Sequence, residues 1–168
     1  MEMDVTLVTA QKRTEDVNTV PIAMTVLKSS AIRGRKLDDT SDLQLAVPGL
    51  TTTTNLFWML PDIRGVGNDI NSSGIEPSVA VYVDGVYQAQ RVRTLTELAD
   101  VERIEVLRGP QGTLYGRNAT GGAINIVTRG PSDHLEGTVE LSSGNLDLRE
   151  GSLFVAGPLN DRMRATFS

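Results

Sequence analysis

Cysteine is absent from the chain, and histidine occurs once, as His134. The lack of cysteine excludes disulfides, thiolate zinc sites and a cysteine nucleophile, and a single imidazole excludes a metal site with several histidines. Basic residues are also outnumbered, since 16 Lys and Arg stand against 21 Asp and Glu. An acidic balance argues against nonspecific binding to nucleic acid, which depends on clustered basic groups. The sequence therefore predicts no metal, no cofactor and no nucleic-acid partner.

Long apolar runs are missing as well. No stretch reaches the roughly 18 apolar residues of a transmembrane helix. Aromatic residues make up 4% of the chain, whereas glycine accounts for 16 of its 168 residues. This glycine content favours turns, loops and close backbone packing, and the length suits one domain with an appendage.

Apolar and polar side chains alternate most clearly over residues 79–83, which predicts a strand. The dipeptide Asp84-Gly85 follows and accepts the positive φ angles of a tight hairpin. Further strands are predicted over residues 22–27, 51–54, 101–107 and 123–128. Short helices are predicted after an N-cap in residues 38–40 and over residues 94–97, where Thr94 and Glu97 fit a capping box.

A glycine-rich loop at residues 108–118 invites a nucleotide-binding interpretation. The residues exclude it, because a Walker A motif needs a Gly-Lys pair, which is absent, and Gly65-Val66-Gly67 lacks the third glycine of a dinucleotide fingerprint. The Gly-x-Ser-x-Gly motif of esterases is also missing. We interpret His134 as an exposed linker residue and predict no catalytic residue.

Three short segments near the C-terminus show a period of two. Residues 135–142 alternate strictly, and residues 151–155 and 163–168 follow, the latter after a turn predicted at residues 157–161. Phe154 interrupts the alternation of the middle segment. Such successive short segments are the weak signature of transmembrane β-barrel strands.

Five segments follow one another in a characteristic order. They are residues 45–50 (LAVPGL), 62–67 (DIRGVG), 81–87 (VYVDGVY), 101–110 (VERIEVLRGP) and 114–128 (LYGRNATGGAINIVT). Together they closely resemble the plug domain of TonB-dependent outer-membrane receptors. The resemblance covers almost the whole chain and is specific because the order of the segments is kept.

The resemblance implies an α+β fold. We expect a mixed plug domain with a roughly four-stranded central sheet and short helices, followed by the first strands of a truncated transmembrane β-barrel. The expected division is an N-terminal arm at residues 1–18, the plug at 19–131 and two to three barrel strands at 132–168. A 22-stranded barrel needs upwards of roughly 200 residues, so we expect only the beginning of its wall here.

The N-terminal arm carries a short β-prone run that resembles the TonB box, which an energised inner-membrane partner binds from the periplasm. A run of this kind on a loose polar tether, here residues 11–18, can add as a strand to a partner's sheet edge. An ordinary first strand of the plug is the alternative. The predicted contacts for the C-terminal domain of TonB are Asp4, Val5, Thr6, Leu7, Val8, Thr9 and Ala10.

Two arginines, Arg64 and Arg108, each precede a glycine in the matching segments. In the family the equivalent arginines pair with glutamates of the barrel wall, so the resemblance implies an ionic lock between plug and barrel. A guanidinium in a lumen needs a carboxylate partner, because removing its water is costly. The alternative is a pair of plain surface arginines.

Residues near two loop tips are implied to face the extracellular vestibule, where a bulky iron chelate, a corrinoid or a glycan would bind. Packing against the barrel interior is the alternative. The predicted substrate-binding residues are Phe57, Trp58, Tyr87, Gln88 and Arg91. The glycines expected to serve backbone geometry are Gly85, Gly109, Gly112, Gly116, Gly121 and Gly122.

The resemblance thus implies the gate of a receptor for energy-coupled uptake of a scarce nutrient, with a ferric siderophore favoured. It would lie in the cell outer membrane, with the plug in the barrel lumen and the arm facing the periplasm. The implied partners are TonB, the barrel wall, outer-membrane lipid and the nutrient. The alternatives are a barrel-less periplasmic binding or signalling module and a cytoplasmic α/β enzyme with an unrecognised site.

Overall fold

The computed structural model describes residues 6–9, 12–55, 58–67, 76–89, 98, 100–145, 147, 149–160 and 162–167. The chain divides into two units, Met1–Val127 and Thr128–Ser168. None of the helices in the described ranges has the length and apolar character needed to cross a membrane. The elements in chain order are β1 (Leu7–Val8), β2 (Glu15–Asp16), β3 (Met24–Lys28), α1 (Ser29–Gly34), a 3₁₀ helix (Thr40–Leu45), β4 (Leu50–Asn55), β5 (Trp58–Ile63), β6 (Val79–Val83), β7 (Val86–Tyr87), β8 (Val101–Arg108), α2 (Gly112–Tyr115), β9 (Gly122–Thr128), β10 (Glu136–Ser143), β11 (Arg149–Asn160) and β12 (Met163–Phe167).

A five-stranded mixed sheet forms the centre of the first unit. Its strands lie in the order β3, β8, β9, β6 and β7. The pairs β3–β8 and β6–β7 are antiparallel, whereas β6 and β9 run parallel. The predicted mixed sheet of roughly four strands is confirmed, and the two-residue β7 adds a fifth strand at one edge.

The turn between β6 and β7 is the hairpin that the sequence predicts. Val83 pairs with Val86, so Asp84 and Gly85 alone form the loop. Their φ angles are 48° and 79°. Positive φ at both central residues matches the right-handed twist of the flanking strands, which confirms the prediction.

Side chains from the two faces of this sheet enter two separate hydrophobic cores, because successive residues of a strand point to opposite faces. In β8, Ile104 and Val106 lie in the first core, whereas Leu107 lies in the second. The first core also receives Ile32 from α1 and Leu43 from the 3₁₀ helix. The second core consists of Val8, Val20, Ala80, Tyr82, Leu107, Tyr115, Ala119 and Ala123.

Asp39 caps the 3₁₀ helix. Its side chain accepts a hydrogen bond from the backbone N–H of Ser41, and the Asp42 side chain accepts one from the backbone of Asp39 in return. The short helix predicted here is confirmed, although it is 3₁₀ rather than α. Sequence reasoning missed α1, because its six residues bury only Ile32 and so show no apolar period.

The polar strand β4 pairs with β5 as an antiparallel hairpin, in which Leu50 faces Ile63. The strand predicted over residues 51–54 is therefore confirmed as part of β4. The loop tip at residues 56–57 and the helix predicted at residues 94–97 lie outside the described residues.

Three antiparallel strands in the order β10, β11 and β12 form the second unit. The three predicted strands are present, but the turn predicted at residues 157–161 is wrong over most of its length. There β11 continues to Asn160, because Gly157 and Pro158 pair with Ala165 and Arg164 of β12. A register shift between Pro158 and Asn160 accommodates the proline, as bulges do.

One face of this second sheet is apolar and exposed. Val139 and Phe167 are 66% and 68% exposed, and Val155 pairs with Phe167 across β11 and β12. Phe154 points to the opposite face and is buried, with the guanidinium carbon of Arg129 at 4.5 Å from its ring centroid. Phe154 therefore interrupts the alternation because its ring makes a cation–π contact with Arg129 on the other face of the sheet.

Candidate functional site

The N-terminal segment, defined as residues 6–9, lies against the central sheet. Its strand β1 pairs with β2, and the backbone N–H of Val17 donates to the carbonyl oxygen of Thr6 at 2.9 Å. Val8 is fully buried in the second core, whereas Leu7 is 51% exposed. The expectation of a loose arm is wrong for these residues, because apolar burial and strand pairing hold them. The loose tether expected at residues 11–18 is also wrong for its described part, since Glu15 and Asp16 form β2 and pair with β1. Asp4, Val5 and Ala10 lie outside the described residues.

A buried carboxylate, Glu105 of β8, holds the end of this segment. Its Oε1 accepts from the backbone N–H of Thr9 at 2.8 Å and from Nε of Arg103 at 2.9 Å. Its Oε2 accepts from Nδ2 of Asn125 at 3.2 Å, and the same nitrogen donates to Oγ1 of Thr9 at 3.0 Å. Glu105 has no exposed surface. Four residues, from the strands β8 and β9 and from the N-terminal segment, therefore share one polar cluster.

Sequence reasoning missed this cluster. It predicted a strand at residues 101–107, in which the structure buries Ile104 and Val106. The available signal was the acidic Glu105 between those two positions, which alternation assigns to the other face. A charged residue in a buried strand needs several donors, because an unpaired buried charge is strongly unfavourable.

An open groove of about 500 Å³ lies beside the N-terminal segment. Leu7 contributes to its wall, and the charged residues of the lining are Lys28, Glu102 and Arg103. A groove beside a partly exposed strand is the setting in which an extended peptide can add to a sheet edge.

The two predicted lock arginines differ in their surroundings. Arg64 is exposed and takes a positive φ of 56°, with its backbone N–H donating to the carbonyl oxygen of Gly49 at 2.8 Å. Arg108 is partly buried, and its Nη2 donates to the carbonyl oxygen of Met24 at 3.3 Å. The Nε of Arg108 is buried and has no partner among the described residues. A buried, unpaired guanidinium nitrogen is unfavourable unless another group supplies an acceptor.

Asp62, two residues before Arg64, also carries a buried oxygen without a partner in the described part of the chain, its Oδ1. Its Oδ2 lies 2.6 Å from the position that a Cβ on Gly67 would occupy. Glycine at position 67 is therefore required by the approach of this carboxylate.

The predicted substrate-binding residues are only partly described. Phe57 and Arg91 lie outside the described residues, and only the backbone of Trp58 is described, at the start of β5. The hydroxyl oxygen of Tyr87 accepts from Nδ2 of Asn118 at 2.8 Å, and Nε2 of Gln88 donates to the carbonyl oxygen of Val86. Both described side chains are thus engaged within the first unit.

A tyrosine cluster extends from Tyr87 into the second core. The hydroxyl of Tyr82 donates to the carbonyl oxygen of Tyr115 at 2.6 Å, and the two rings are arranged edge to face. Burial raises the pKa of Tyr115 to about 12, and the negative charge of Glu105 is a second, smaller cause of this rise. The phenol therefore stays neutral at physiological pH.

The predicted structural glycines fall into three groups. A Cβ on Gly122 would lie 2.2 Å from the carbonyl oxygen of Leu107, and one on Gly121 would lie 2.6 Å from that of Val66. Gly112 has ordinary φ and open space around it, so neither geometry nor packing requires glycine there. The remaining predicted positions, Gly85, Gly109 and Gly116, have positive φ angles.

Comparisons with known proteins agree with this geometry. Residues 16–123 match the family model described as the TonB-dependent Receptor Plug Domain. The chain is 33% identical to the pesticin receptor of Yersinia enterocolitica over 161 residues, which cover 95% of this chain and 23% of that receptor. It is 31% identical over 175 residues to the iron-regulated outer membrane virulence protein of Vibrio cholerae serotype O1, covering 94% and 26% of the two chains.

A solved structure shares the fold. The ferric yersiniabactin uptake receptor FyuA from Yersinia pestis superposes with a TM-score of 0.77 and 34% identity, over 83% of this chain and 22% of that one. The chain thus spans about a quarter of the length of these relatives. Because the family model covers more than half of the residues, the resemblance predicted from the sequence is confirmed, and the chain belongs to the plug-domain family of TonB-dependent outer-membrane receptors.

Proposed function

We propose that the chain is the gate of an outer-membrane receptor that takes up a ferric siderophore with energy delivered through TonB. The match of residues 16–123 to the plug-domain family is the observation that carries this proposal. The names of two relatives, an iron-regulated outer membrane protein and a ferric yersiniabactin uptake receptor, favour an iron chelate as the substrate. The gate binds and moves, and no catalytic step is assigned to it.

The N-terminal segment is the proposed grip for TonB. Leu7 is half-exposed beside the open groove, and Leu7 and Val8 already form a strand. A partner strand can add to it through main-chain hydrogen bonds, which resist a pull along the strand. In this proposal residues 4–10 bind the C-terminal domain of TonB from the periplasmic side.

The exposed apolar face of the second unit supports a membrane setting over a barrel-less periplasmic module. Val139, Leu141 and Phe167 are each more than half exposed on β10 and β12. Large exposed apolar patches mark contacts with lipid or with another protein. We propose that this face meets outer-membrane lipid.

Uptake by the full-length gene product tests the proposed function. Expressed in a bacterial strain without its own siderophore receptors, the receptor should support accumulation of radioactive iron from at least one ferric siderophore. Accumulation should vanish in a matched strain without TonB, while binding of the chelate to the cell surface remains. Uptake that is equal in both strains, or no binding of any ferric siderophore, would contradict the proposal.

Arg108 is the better supported half of the proposed ionic lock, because its buried Nε has no acceptor within the described residues. Replacing it by alanine in the full-length receptor should leave a wall carboxylate unpaired and cost the plug roughly 3 kcal/mol of stability. Chemical unfolding of the purified receptor measures this loss.

Arg117→Ala is the matched control for that change. Arg117 is 82% exposed and pairs with Glu76 at the surface, so its loss should cost less than about 1 kcal/mol. Equal effects of the two substitutions would refute a lock at Arg108. Arg64, Phe57, Trp58, Tyr87, Gln88 and Arg91 remain proposed contacts of the wall or of the chelate.

A further inference from the structure

Thr9 of the N-terminal segment supplies two hydrogen-bond donors to Glu105, more than any other residue described. Oε1 accepts from both the backbone N–H and the hydroxyl of Thr9, at 2.8 and 3.2 Å. Arg103 and Asn125 contribute one donor each. A fully buried carboxylate depends on such donors, because it has lost its water. The bonds to Thr9 therefore bind the segment to β8 across a sequence separation of 96 residues.

The other contacts of the segment are few. Its strand pairing with β2 comprises two residue pairs, Leu7 with Asp16 and Val8 with Glu15. A two-residue ladder of this kind is weak by itself. Val8 is the one member of the segment in the second core. Besides these pairs and the bond from the backbone N–H of Val17 to the carbonyl oxygen of Thr6, the segment is held by the burial of Val8 and by the bonds of Thr9 to Glu105 and Asn125.

Departure of Thr9 leaves the carboxylate partly satisfied. Arg103 still donates to Oε1, and Asn125 still donates to Oε2. Arg103 is itself fixed by Glu102, whose Oε1 lies 2.5 Å from its Nη1. Because β8 and β9 carry these partners on rigid neighbouring strands, the cluster can lose Thr9 without leaving an isolated buried charge. Release of the segment would therefore leave Glu105 with two donors, one from Arg103 and one from Asn125.

We propose that Glu105 is a latch that keeps the N-terminal segment docked, and that breaking its bonds to Thr9 frees the segment for a partner strand. Arg103 and Asn125 act as positioning residues that keep the carboxylate in place whether the segment is docked or released. The latch rests on the proposed function, in which the same segment is gripped by TonB. It makes the receptor's affinity for that partner depend on a side chain in the middle of the plug.

Thiol labelling of the full-length receptor tests the latch. The chain contains no cysteine, so Val8→Cys places one reactive group in this domain at a fully buried position. In the absence of siderophore, adding Glu105→Gln or Thr9→Val should raise the maleimide labelling rate of that cysteine at least ten-fold. The same two changes, without the cysteine, should tighten binding of the purified TonB C-terminal domain by a similar factor.

Two controls separate release of the segment from general loosening. Glu76→Gln changes a carboxylate of the same unit that pairs with Arg117 at the surface and contacts neither Thr9 nor Arg103 in the bonds described above, and it should leave both readouts within two-fold. A cysteine at Val81, buried in the first core, should stay protected in the Glu105 and Thr9 variants. Labelling at both positions would show that Glu105 supports the whole unit, which overturns the latch.

The outcomes also distinguish the latch from the function on which it rests. If Glu105→Gln and Thr9→Val leave labelling and partner affinity unchanged while deletion of residues 5–10 abolishes partner binding, the latch is wrong and the grip assignment stands. If TonB binds the deleted receptor as well as the intact one, the grip assignment fails, and the latch loses its partner.

Discussion

Deletion of residues 5–10 from the full-length receptor is expected to abolish energy-dependent uptake of the ferric siderophore and to leave its binding unchanged. The deletion removes the strand to which the partner adds, so no pull can reach the plug. It also removes Val8 from the second core and Thr9 from Glu105, but the first core keeps all of its members. Uptake and surface binding of radioactive iron chelate, measured on the same cells, provide the two readouts.

A matched pair of point substitutions sharpens this prediction. Leu7→Pro removes a backbone N–H from β1 and should reduce uptake nearly as much as the deletion, because proline cannot donate to a strand ladder. Leu7→Ala keeps the backbone donor, and the side chain is half-exposed, so uptake should stay close to normal. Normal uptake by the deleted receptor would remove the grip assignment altogether.

Gly122→Ala is expected to be the most damaging single substitution in the first unit. Gly122 has a φ of 152°, and an added Cβ would lie 2.2 Å from the carbonyl oxygen of Leu107 and 2.8 Å from Cδ1 of Ile63. The backbone oxygen cannot move without disturbing β8, so both strain and overpacking apply. The expected loss is about 3 kcal/mol or more, a large share of the stability of a small domain.

Gly112→Ala is the comparison for this substitution. Gly112 opens α2 and has no neighbour within 4 Å of the added Cβ, so its replacement should change the free energy of unfolding by less than about 1 kcal/mol. Urea unfolding followed by far-ultraviolet circular dichroism compares the two variants. If the Gly122→Ala protein were as stable as the Gly112→Ala protein, the distance between position 122 and the carbonyl oxygen of Leu107 would have to be larger than in the structure.

Local patterns were sufficient for most of the fold. The strand β6 and its Asp84-Gly85 turn follow from alternation and from a dipeptide suited to positive φ, and both depend on neighbouring residues only. The short helix after Asp39 follows from a capping residue in the same way. The helix α1 was missed because a single buried residue gives no period. The extension of β11 past Pro158 was missed because it depends on pairing with β12, and the residues of β11 alone do not indicate it.

The site depends on contacts that no local pattern contains. The run at residues 4–10 was predicted from its β-prone composition, but the docking of residues 6–9 on the sheet requires the positions of Glu105 and Asn125, which the sequence does not place near Thr9. The sequence marked Arg64 and Arg108 as equals, since each precedes a glycine. Burial distinguishes them, because only Arg108 has a buried nitrogen without an acceptor among the described residues.

The polar contacts of Thr9 have a consequence for biosynthesis. Its partners Glu105 and Asn125 follow it by 96 and 116 positions, and contacts between residues so far apart form late, because a long loop must close first. A ribosome delivers residue 9 well before either partner. The beginning of the domain is therefore expected to dock only after Glu105 and Asn125 have both been synthesised.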